Sequence, residues 1–219
     1  MKVILFGATG MIGAGALIEC LEDDDVAQVL AVVRRPTGRT HPKLTELIIS
    51  DFLDYSGVED QLRGYDACLY ALGIASAGMS EADYRRITLD FAVAAGEALL
   101  RANPGMRLCF ISGAGTDLHS RQMWARVKGE AEQALLAMPW TSAHMFRPAL
   151  ILPRKGVNSG VRSYRILYAT LGWAFSLLKA VAPAYITTTE ELGRALIHVA
   201  RDGHPKSILE GADIHAAGA

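Results

Sequence analysis

Short apolar runs alternate along this chain with stretches in which apolar residues recur at helical spacing. The apolar runs predict strands at residues 3–6, 29–33, 47–49, 67–70, 107–111 and 142–146. The helical spacing predicts helices near residues 11–21, 58–62, 81–101 and 121–137. Alternation of this kind is typical of a parallel sheet with helices on both faces. We therefore expect an α/β fold with a doubly wound parallel sheet in the order 3-2-1-4-5-6.

The first predicted strand leads into a glycine-rich turn, Gly7-Ala8-Thr9-Gly10-Met11-Ile12-Gly13, which opens the first predicted helix. This arrangement is typical of a pyrophosphate site, because backbone N–H groups and the positive end of the helix dipole face the anion. A turn that is merely rich in glycine is the alternative. The residues expected to contact a dinucleotide here are Gly7, Thr9, Gly10, Met11, Ile12 and Gly13.

The second predicted strand ends in Arg34-Arg35-Pro36. A dinucleotide fold that uses NAD carries Asp or Glu about 20 residues after the glycines, to hold the adenosine ribose. Two guanidinium groups instead suit a 2′-phosphate in charge and geometry. Arg34 and Arg35 therefore favour NADP(H) over NAD(H). The alternative is a solvated loop of charges that includes Arg39.

After Arg147-Pro148 the pattern changes. We interpret residues 1–219 as a single domain, with residues 149–186 as an insert that covers the reactive end of the cofactor. A helix around residues 161–181 is expected in this insert, and its Phe175, Leu177 and Leu178 either line an apolar substrate pocket or pack in the core. Thr188 and Glu191 have capping-box spacing for a helix that runs to about Arg201. A short strand is expected at residues 208–209.

Composition narrows the functional classes. A net charge of −1 gives no reason to expect binding to nucleic acid or to an anionic membrane. The longest uncharged apolar stretch, residues 166–178, is shorter than the roughly 20 residues of a membrane span. Cys20, Cys68 and Cys109 stand in apolar patterns without metal-ligand spacing, so neither a disulfide framework nor a metal site is expected. Free thiols and the lack of a signal-peptide pattern favour a cytoplasmic protein.

Further motifs resemble the short-chain dehydrogenase/reductase superfamily over nearly the whole chain. The chain looks closest to the atypical branch filed with NAD-dependent epimerases/dehydratases, and is similar to Tat-interacting-protein-like reductases. Besides the glycine turn, the matching residues are Asp51-Phe52, Ala71-Leu72-Gly73, Ser112, Lys128, Arg147-Pro148 and the segment 188–193.

The resemblance implies roles for these residues. Asp51 would accept from the adenine amino group, and Phe52 would offer its backbone N–H. Ala71, Leu72 and Gly73 would contact the adenosine side. Arg147 and Pro148 would complete the cofactor site. Related folds pair as homodimers through the helices that correspond to residues 81–101 and 121–137.

The Tyr-x-x-x-Lys motif of the superfamily reads Trp124-Ala125-Arg126-Val127-Lys128 here. Positions 124 and 128 lie one turn apart on a helix. By resemblance Lys128 would hold the nicotinamide ribose, whereas Trp124 stands where the proton-donating tyrosine is expected. An indole N–H donates a hydrogen bond but does not titrate usefully, so the usual acid is missing. Trp124 either stacks on the nicotinamide or a substrate, or fills the volume of the phenol.

Ser112 follows the fifth predicted strand, at the carboxyl edge of the sheet. It either polarises a substrate oxygen by a hydrogen bond or caps the strand end. Thr116 is a second hydroxyl with a weaker case. His119 and His144 are alternative proton donors, although a histidine in an apolar strand is more often structural.

These observations leave three functions open. The first is an NADPH-dependent reductase of a small apolar substrate that lacks the usual tyrosine. The second is a non-catalytic NADP(H) sensor or regulatory protein. The third, the least favoured, is a nucleotide-sugar epimerase or dehydratase, because those enzymes need the tyrosine and a larger C-terminal domain.

Overall fold

A parallel sheet of seven strands in the order β3-β2-β1-β4-β5-β6-β9 forms the centre of the fold. The computed structural model describes residues 1–157 and 185–219. The strands of this sheet are β1 (Lys2–Phe6), β2 (Gln28–Val33), β3 (Leu44–Ile48), β4 (Ala67–Tyr70), β5 (Arg107–Ile111), β6 (Ser142–Arg147) and β9 (Ile208–Glu210). The doubly wound parallel sheet is confirmed, and β9 extends the expected order by one strand at the β6 edge.

Helices cover both faces of the sheet. They are α1 (Met11–Glu22), α2 (Glu81–Arg85), α3 (Phe91–Ala102), α4 (Met123–Leu136), α5 (Thr189–Asp202) and α6 (Gly211–Gly218), with a 3-10 turn at Glu59–Leu62 and a π-helical turn at Arg86–Asp90. One apolar core joins α1, α5 and α6 to the sheet, and a second core joins the 3-10 turn and α2 to α4 to the opposite face.

Strand β1 explains why the first apolar run is continuous rather than alternating. Val3 and Leu5 pack into the core beneath α1 and α5, whereas Ile4 and Phe6 pack into the core beneath α3 and α4. All four are fully buried, because a parallel strand at the centre of a covered sheet has no solvent face.

Several local expectations needed correction. The segment predicted as a helix at residues 58–62 is the 3-10 turn, and the helix predicted at 81–101 contains the π-helical turn. Strand β3 begins three residues earlier than expected, since an edge strand half exposed to solvent mixes polar and apolar residues. Helix α6 was not predicted. The expected helix at 161–181, with Phe175, Leu177 and Leu178, lies outside the described residues.

A second, two-stranded sheet follows β6 in the chain. Strand β7 (Leu150–Leu152) pairs in parallel with β8 (Ile186–Thr188). The predicted capping box follows at once and is confirmed: Thr188 Oγ1 accepts the Glu191 N–H at 3.1 Å, and Glu191 Oε2 accepts the Thr188 N–H at 3.0 Å. Helix α5 therefore begins at a fixed residue beside α1.

The turn between β1 and α1 is closed by a backbone contact that only glycine permits. Gly7 has φ +82°, in the left-handed region. A Cβ on Gly13 would lie 2.1 Å from the Gly7 carbonyl oxygen, whereas a Cβ on Gly10 would lie 3.3 Å from the same atom. The turn therefore requires glycine at position 13, whereas a Cβ at position 10 would need only a small shift of the Gly7 carbonyl.

We predict that Gly13→Ala lowers the free energy of unfolding by about 3 kcal/mol or more, at the upper end of overpacking costs, because the obstructing atom is backbone. Gly10→Ala is the matched control and is expected to cost less than about 1 kcal/mol, since its Cβ would need only a small adjustment. Urea unfolding of the two variants measures the difference. Equal destabilisation would contradict this account of the turn.

Candidate functional site

A cavity of about 730 Å³ opens at the carboxyl edge of the sheet, beside the glycine turn. Ligands of doubly wound sheets bind at this edge. The described residues that line it are Gly7, Ala8, Thr9, Gly10, Ala14, Val32, Val33, Arg34, Arg35, Pro36, Thr37, Arg39, Phe52, Ala71, Leu72, Gly73, Gly156 and Val157. Most of the residues expected from the sequence to bind a dinucleotide are therefore together in one concavity.

The start of α1 is suited to an anion. Gly10 is the N-cap, it offers no side chain to the first-turn N–H groups, and the first turn contains no acidic residue. The positive end of the helix dipole therefore faces the cavity without a built-in counter-charge. Met11 and Ile12 do not line the cavity, because their side chains pack against the core beneath α1. Any contact they make with a dinucleotide falls to their backbone.

Arginines form the outer end of the cavity. Arg34, Arg35 and Arg39 are exposed and line it, and among the described residues none of the three has an ion-pair partner. The loop that carries them is fixed from β3, where Glu46 accepts hydrogen bonds from both the N–H, at 2.8 Å, and the hydroxyl of Thr37. Three unpaired guanidinium groups on one short loop make this end strongly attractive to anions.

Of the residues expected to contact adenosine, all but Asp51 line the cavity. Phe52 is buried and lines the cavity with Ala71, Leu72 and Gly73. The turns after β1 and β4 touch here, since a Cβ on Gly7 would lie 2.5 Å from the Ala71 carbonyl oxygen. Asp51 does not line the cavity; it is exposed, and its Oδ1 accepts the Leu53 N–H at 2.9 Å in a local turn.

Ser112 lies at the end of β5 and is buried beside Thr116. The two hydroxyl oxygens are 3.0 Å apart, and Thr116 donates its hydrogen to the Gly113 carbonyl at 2.8 Å. A hydroxyl has a single hydrogen, so Ser112 must be the donor to Thr116. The lone pairs of Ser112 are therefore open to a donor, whereas polarising a substrate oxygen requires its hydroxyl to rotate.

Trp124 and Lys128 both contact the end of β5 and the loop that follows. The Trp124 indole lies over this loop, where a Cβ on Gly115 would be 3.6 Å from the ring, and its Nε1 donates to Gln122 Oε1 at 2.8 Å. Lys128 Nζ donates to the Ile111 carbonyl at 3.3 Å and lies 5.7 Å from the centre of the Phe110 ring. The two side chains thus share one face of α4, as their spacing predicts.

Burial changes the titration of Lys128. It lowers the pKa of the ammonium group to about 8, and the negative charge of Glu132 opposes this effect without cancelling it. Lys128 therefore changes charge close to neutral pH. Of the described side chains around Ser112 and Trp124, this is the one whose protonation is brought into a range useful for chemistry.

Arg147 and Pro148, like Lys128, lie outside the lining of the cavity. The Arg147 guanidinium forms a two-pronged ion pair with buried Glu132, at 2.9 and 2.6 Å, and a further bond to Glu210 at 3.2 Å. These carboxylates raise the pKa of Arg147 and hold β6 to α4 and β9. The Pro148 carbonyl accepts the Ala114 N–H at 3.0 Å. Neither residue lines the cavity.

Neither alternative histidine lies at the site. His144 is buried within β6, where its Nδ1 is 3.0 Å from the Lys206 carbonyl and burial lowers its pKa. His119 is exposed on the loop before α4. Thr37, Gly156 and Val157 line the cavity although the sequence did not single them out. Arg39 also lines the cavity, and the sequence indicated it only as part of a charged loop.

In residues 1–157 and 185–219, no helix combines the length and apolar character needed to cross a bilayer. Over the same residues, no group of three or more His, Cys, Asp or Glu side chains is placed to hold a metal ion.

Solved structures share this fold at low sequence identity. MoeE5 in complex with UDP-glucose and NAD superposes with a TM-score of 0.70 at 17% identity, covering 98% of this chain and 79% of that one. A short chain dehydrogenase family protein from Francisella tularensis superposes with a TM-score of 0.68 at 13% identity, covering 97% and 98%. At these identities the likeness establishes the Rossmann-like fold and not the activity. The likeness to Tat-interacting-protein-like reductases stays a prediction.

Two of the curated relatives are FMP52 proteins of fungi. The chain is 30% identical over 155 residues to protein FMP52, mitochondrial, of Eremothecium gossypii, covering 69% of this chain and 67% of the relative. It is 26% identical over 208 residues to protein fmp52, mitochondrial, of Emericella nidulans, covering 90% and 86%. The mitochondrial names of these relatives contradict the cytoplasmic location expected from the sequence, which rested on free thiols and the lack of a signal-peptide pattern.

A sequence model of the family described as NAD(P)H-binding matches residues 7–141, more than half of the chain. The match starts at the first glycine of the turn and spans the arginine loop, Phe52, the turn after β4, Ser112 and Lys128. Together with the strand order, this match means that the chain belongs to the NAD(P)H-binding family and has a Rossmann-like sheet.

Proposed function

We propose that the protein binds NADP(H) in preference to NAD(H) and uses it to reduce a small, largely apolar substrate. The observation that carries the proposal is the composition of the cavity. It joins the glycine turn to Arg34, Arg35 and Arg39, and its described lining contains no acidic residue.

Charge supports the preference for the phosphorylated cofactor. A carboxylate at the end of β2 would accept from the ribose hydroxyls of NAD and repel a 2′-phosphate. Arg34 and Arg35 occupy that position instead, and Thr37 and Arg39 follow on the same loop. Glu46, the carboxylate hydrogen-bonded to this loop, accepts two hydrogen bonds from Thr37 and is not part of the lining.

We assign the reacting end to Ser112, Trp124 and Lys128, which lie at the end of β5 and on α4, outside the lining of the cavity. A nicotinamide cofactor supplies a hydride when bound. Ser112 would orient the substrate oxygen, and the ammonium group of Lys128 would hold ribose hydroxyls. The Trp124 ring over the glycine loop offers a flat apolar surface. Because an indole does not release a proton, the proton comes from water or from another residue.

A non-catalytic NADP(H) sensor is the second candidate. It is favoured by two observations at the same place: Trp124 replaces the usual acid, and the Ser112 hydrogen is already donated to Thr116. The two candidates differ in turnover. An enzyme oxidises NADPH in the presence of some member of a panel of aldehydes, quinones and flavins, whereas a sensor binds the cofactor and leaves it unchanged.

We expect Arg34→Ala and Arg35→Ala each to weaken NADPH binding about 10- to 100-fold, because each removes a charge-assisted hydrogen bond to phosphate. NADH binding should change less than about twofold. Isothermal titration calorimetry with both cofactors measures this. Arg63→Ala is the matched control, since Arg63 is exposed and pairs with Asp60 outside the cavity lining. Equal losses for NADPH and NADH would contradict the proposed preference.

If the protein is a reductase, we expect Ser112→Ala to lower kcat about 100-fold, as for loss of one oxyanion donor. Trp124→Phe should retain most of the activity, because the indole is not the acid. Ser56→Ala, an exposed serine outside the cavity lining, is the control. Stopped-flow measurement of NADPH oxidation gives the rates. A greater loss in Trp124→Phe than in Ser112→Ala would reverse the assigned roles.

We also expect NADPH binding to weaken about fivefold as the pH rises from 7 to 9.5, because Lys128 loses its charge near pH 8 and its bond to the ribose is no longer charge-assisted. The Lys128→Met variant should bind NADPH more weakly, with an affinity that does not change with pH.

The lowered pKa of Lys128 also predicts that the free energy of unfolding rises with pH above about 8, since the unfolded chain then holds more protons than the folded chain. Measurements of NADPH affinity and of the free energy of unfolding across this pH range test the sign of each change. A free energy of unfolding that falls above pH 8 would contradict the lowered pKa of Lys128.

A further inference from the structure

The segment after β7, Pro153–Val157, forms one wall of the cavity and is here called the wall segment. Gly156 and Val157 belong to the cavity lining. The wall segment contains Lys155, whose φ is +51°; within residues 1–157 and 185–219 it is the one residue other than glycine with positive φ. A left-handed backbone at such a residue is costly and persists where the surroundings hold it in place.

The side chain of Lys155 supplies such a hold. Its Nζ is 2.6 Å from Glu19 Oε1 and 3.8 Å from Glu190 Oε1, and it also bonds Glu22. The Glu19 side chain is only 7% exposed, so this carboxylate depends on Lys155 for its compensating charge. The pKa of Lys155 is raised by these hydrogen bonds, which keeps the ammonium charged.

The cluster joins three parts of the molecule. Glu19 and Glu22 lie on α1, whose first turn faces the cavity, and Glu190 lies in the first turn of α5. The backbone of the wall segment is also bonded to α5, because the Arg154 N–H donates to Thr189 Oγ1 at 3.0 Å. The cavity wall is thus fixed to the two helices that pack beside the glycine turn.

Lys155 is not available as a ligand for phosphate. One ammonium group among three carboxylates leaves the cluster with net negative charge, which disfavours an anion at this point. Its effect on a dinucleotide must therefore act through the position of Gly156 and Val157.

We propose that Lys155 is a positioning residue of the cofactor cavity: its contacts with Glu19, Glu22 and Glu190 fix Gly156 and Val157 as a wall of the site and so increase affinity for the dinucleotide. The inference rests on the proposed binding of NADP(H) in this cavity. Because Gly156 and Val157, the wall residues that line the cavity, carry no charged side chain, we expect their effect to be the same for NADPH and NADH. This separates Lys155 from Arg34 and Arg35, whose loss affects NADPH alone.

The test uses the full chain with four variants. Lys155→Met removes the cluster, and Lys155→Met combined with Glu19→Gln removes it without leaving a buried charge. Glu22→Gln removes a mostly exposed partner and is expected to fold normally. Lys155→Arg retains the charge. Lys206→Met is the control, because Lys206 forms an equally short ion pair with Asp213 outside the cavity lining.

Two readouts are needed, calorimetric affinity for NADPH and NADH, and amide hydrogen exchange of residues 154–157 without cofactor. We expect about tenfold weaker binding of both cofactors in the double variant, about twofold in Glu22→Gln, recovery in Lys155→Arg, and no change in Lys206→Met. Exchange at 154–157 should quicken in the same order.

Three outcomes overturn the inference. Unchanged affinity in the double variant and in Glu22→Gln removes it while leaving the proposed function intact. Faster exchange without loss of affinity shows that the cluster is structural only. Failure of the wild-type chain to bind either cofactor contradicts both the proposed function and the inference. When the wild-type chain does bind, the variants test the role of Lys155 separately from the proposed function.

Discussion

The contact between helix α1 and the turn that precedes it is the constraint on which the rest of the structure depends. A carbonyl of Gly7 lies where any side chain on Gly13 would have to be, so α1 is held directly against β1. The same helix then meets α5 through glycine: a Cβ on Gly193 would lie 2.6 Å from Glu19 Cγ. Helix α1 consequently presents its first turn to the cavity, its middle to α5, and its carboxylates to Lys155.

The arginines that line the cavity and the group formed by Ser112, Trp124 and Lys128, which lies outside its lining, are built in different ways. Guanidinium groups at the outer end are exposed and unpaired within the described chain, which leaves them free to bind an anion. Lys128, by contrast, is packed against Phe110 and a backbone carbonyl, and burial lowers its pKa to about 8. The exposed arginines are accessible to an anion, whereas the buried ammonium group of Lys128 carries a charge that responds to pH.

Two arginines that look alike in the sequence have different surroundings in the structure. Arg147 resembles a cofactor ligand by position, yet it compensates the buried charge of Glu132 and ties β6 to α4. Arg34 has no such partner in the described residues and remains open to solvent and ligand. Whether an arginine binds a ligand or holds the fold is decided by the nearest carboxylate, and that carboxylate is commonly distant in sequence.

The sequence by itself determined the features that depend on near neighbours along the chain. Alternating apolar runs predicted the parallel sheet, and the glycine turn and the box formed by Thr188 and Glu191 marked the starts of two helices, because each motif is complete within a few residues. Tertiary structure decided the rest. It placed β9 at the sheet edge, turned Asp51 out of the cavity, paired Arg147 with Glu132 and brought the wall segment to α1. These outcomes depend on contacts between residues far apart in the chain, which local patterns do not encode.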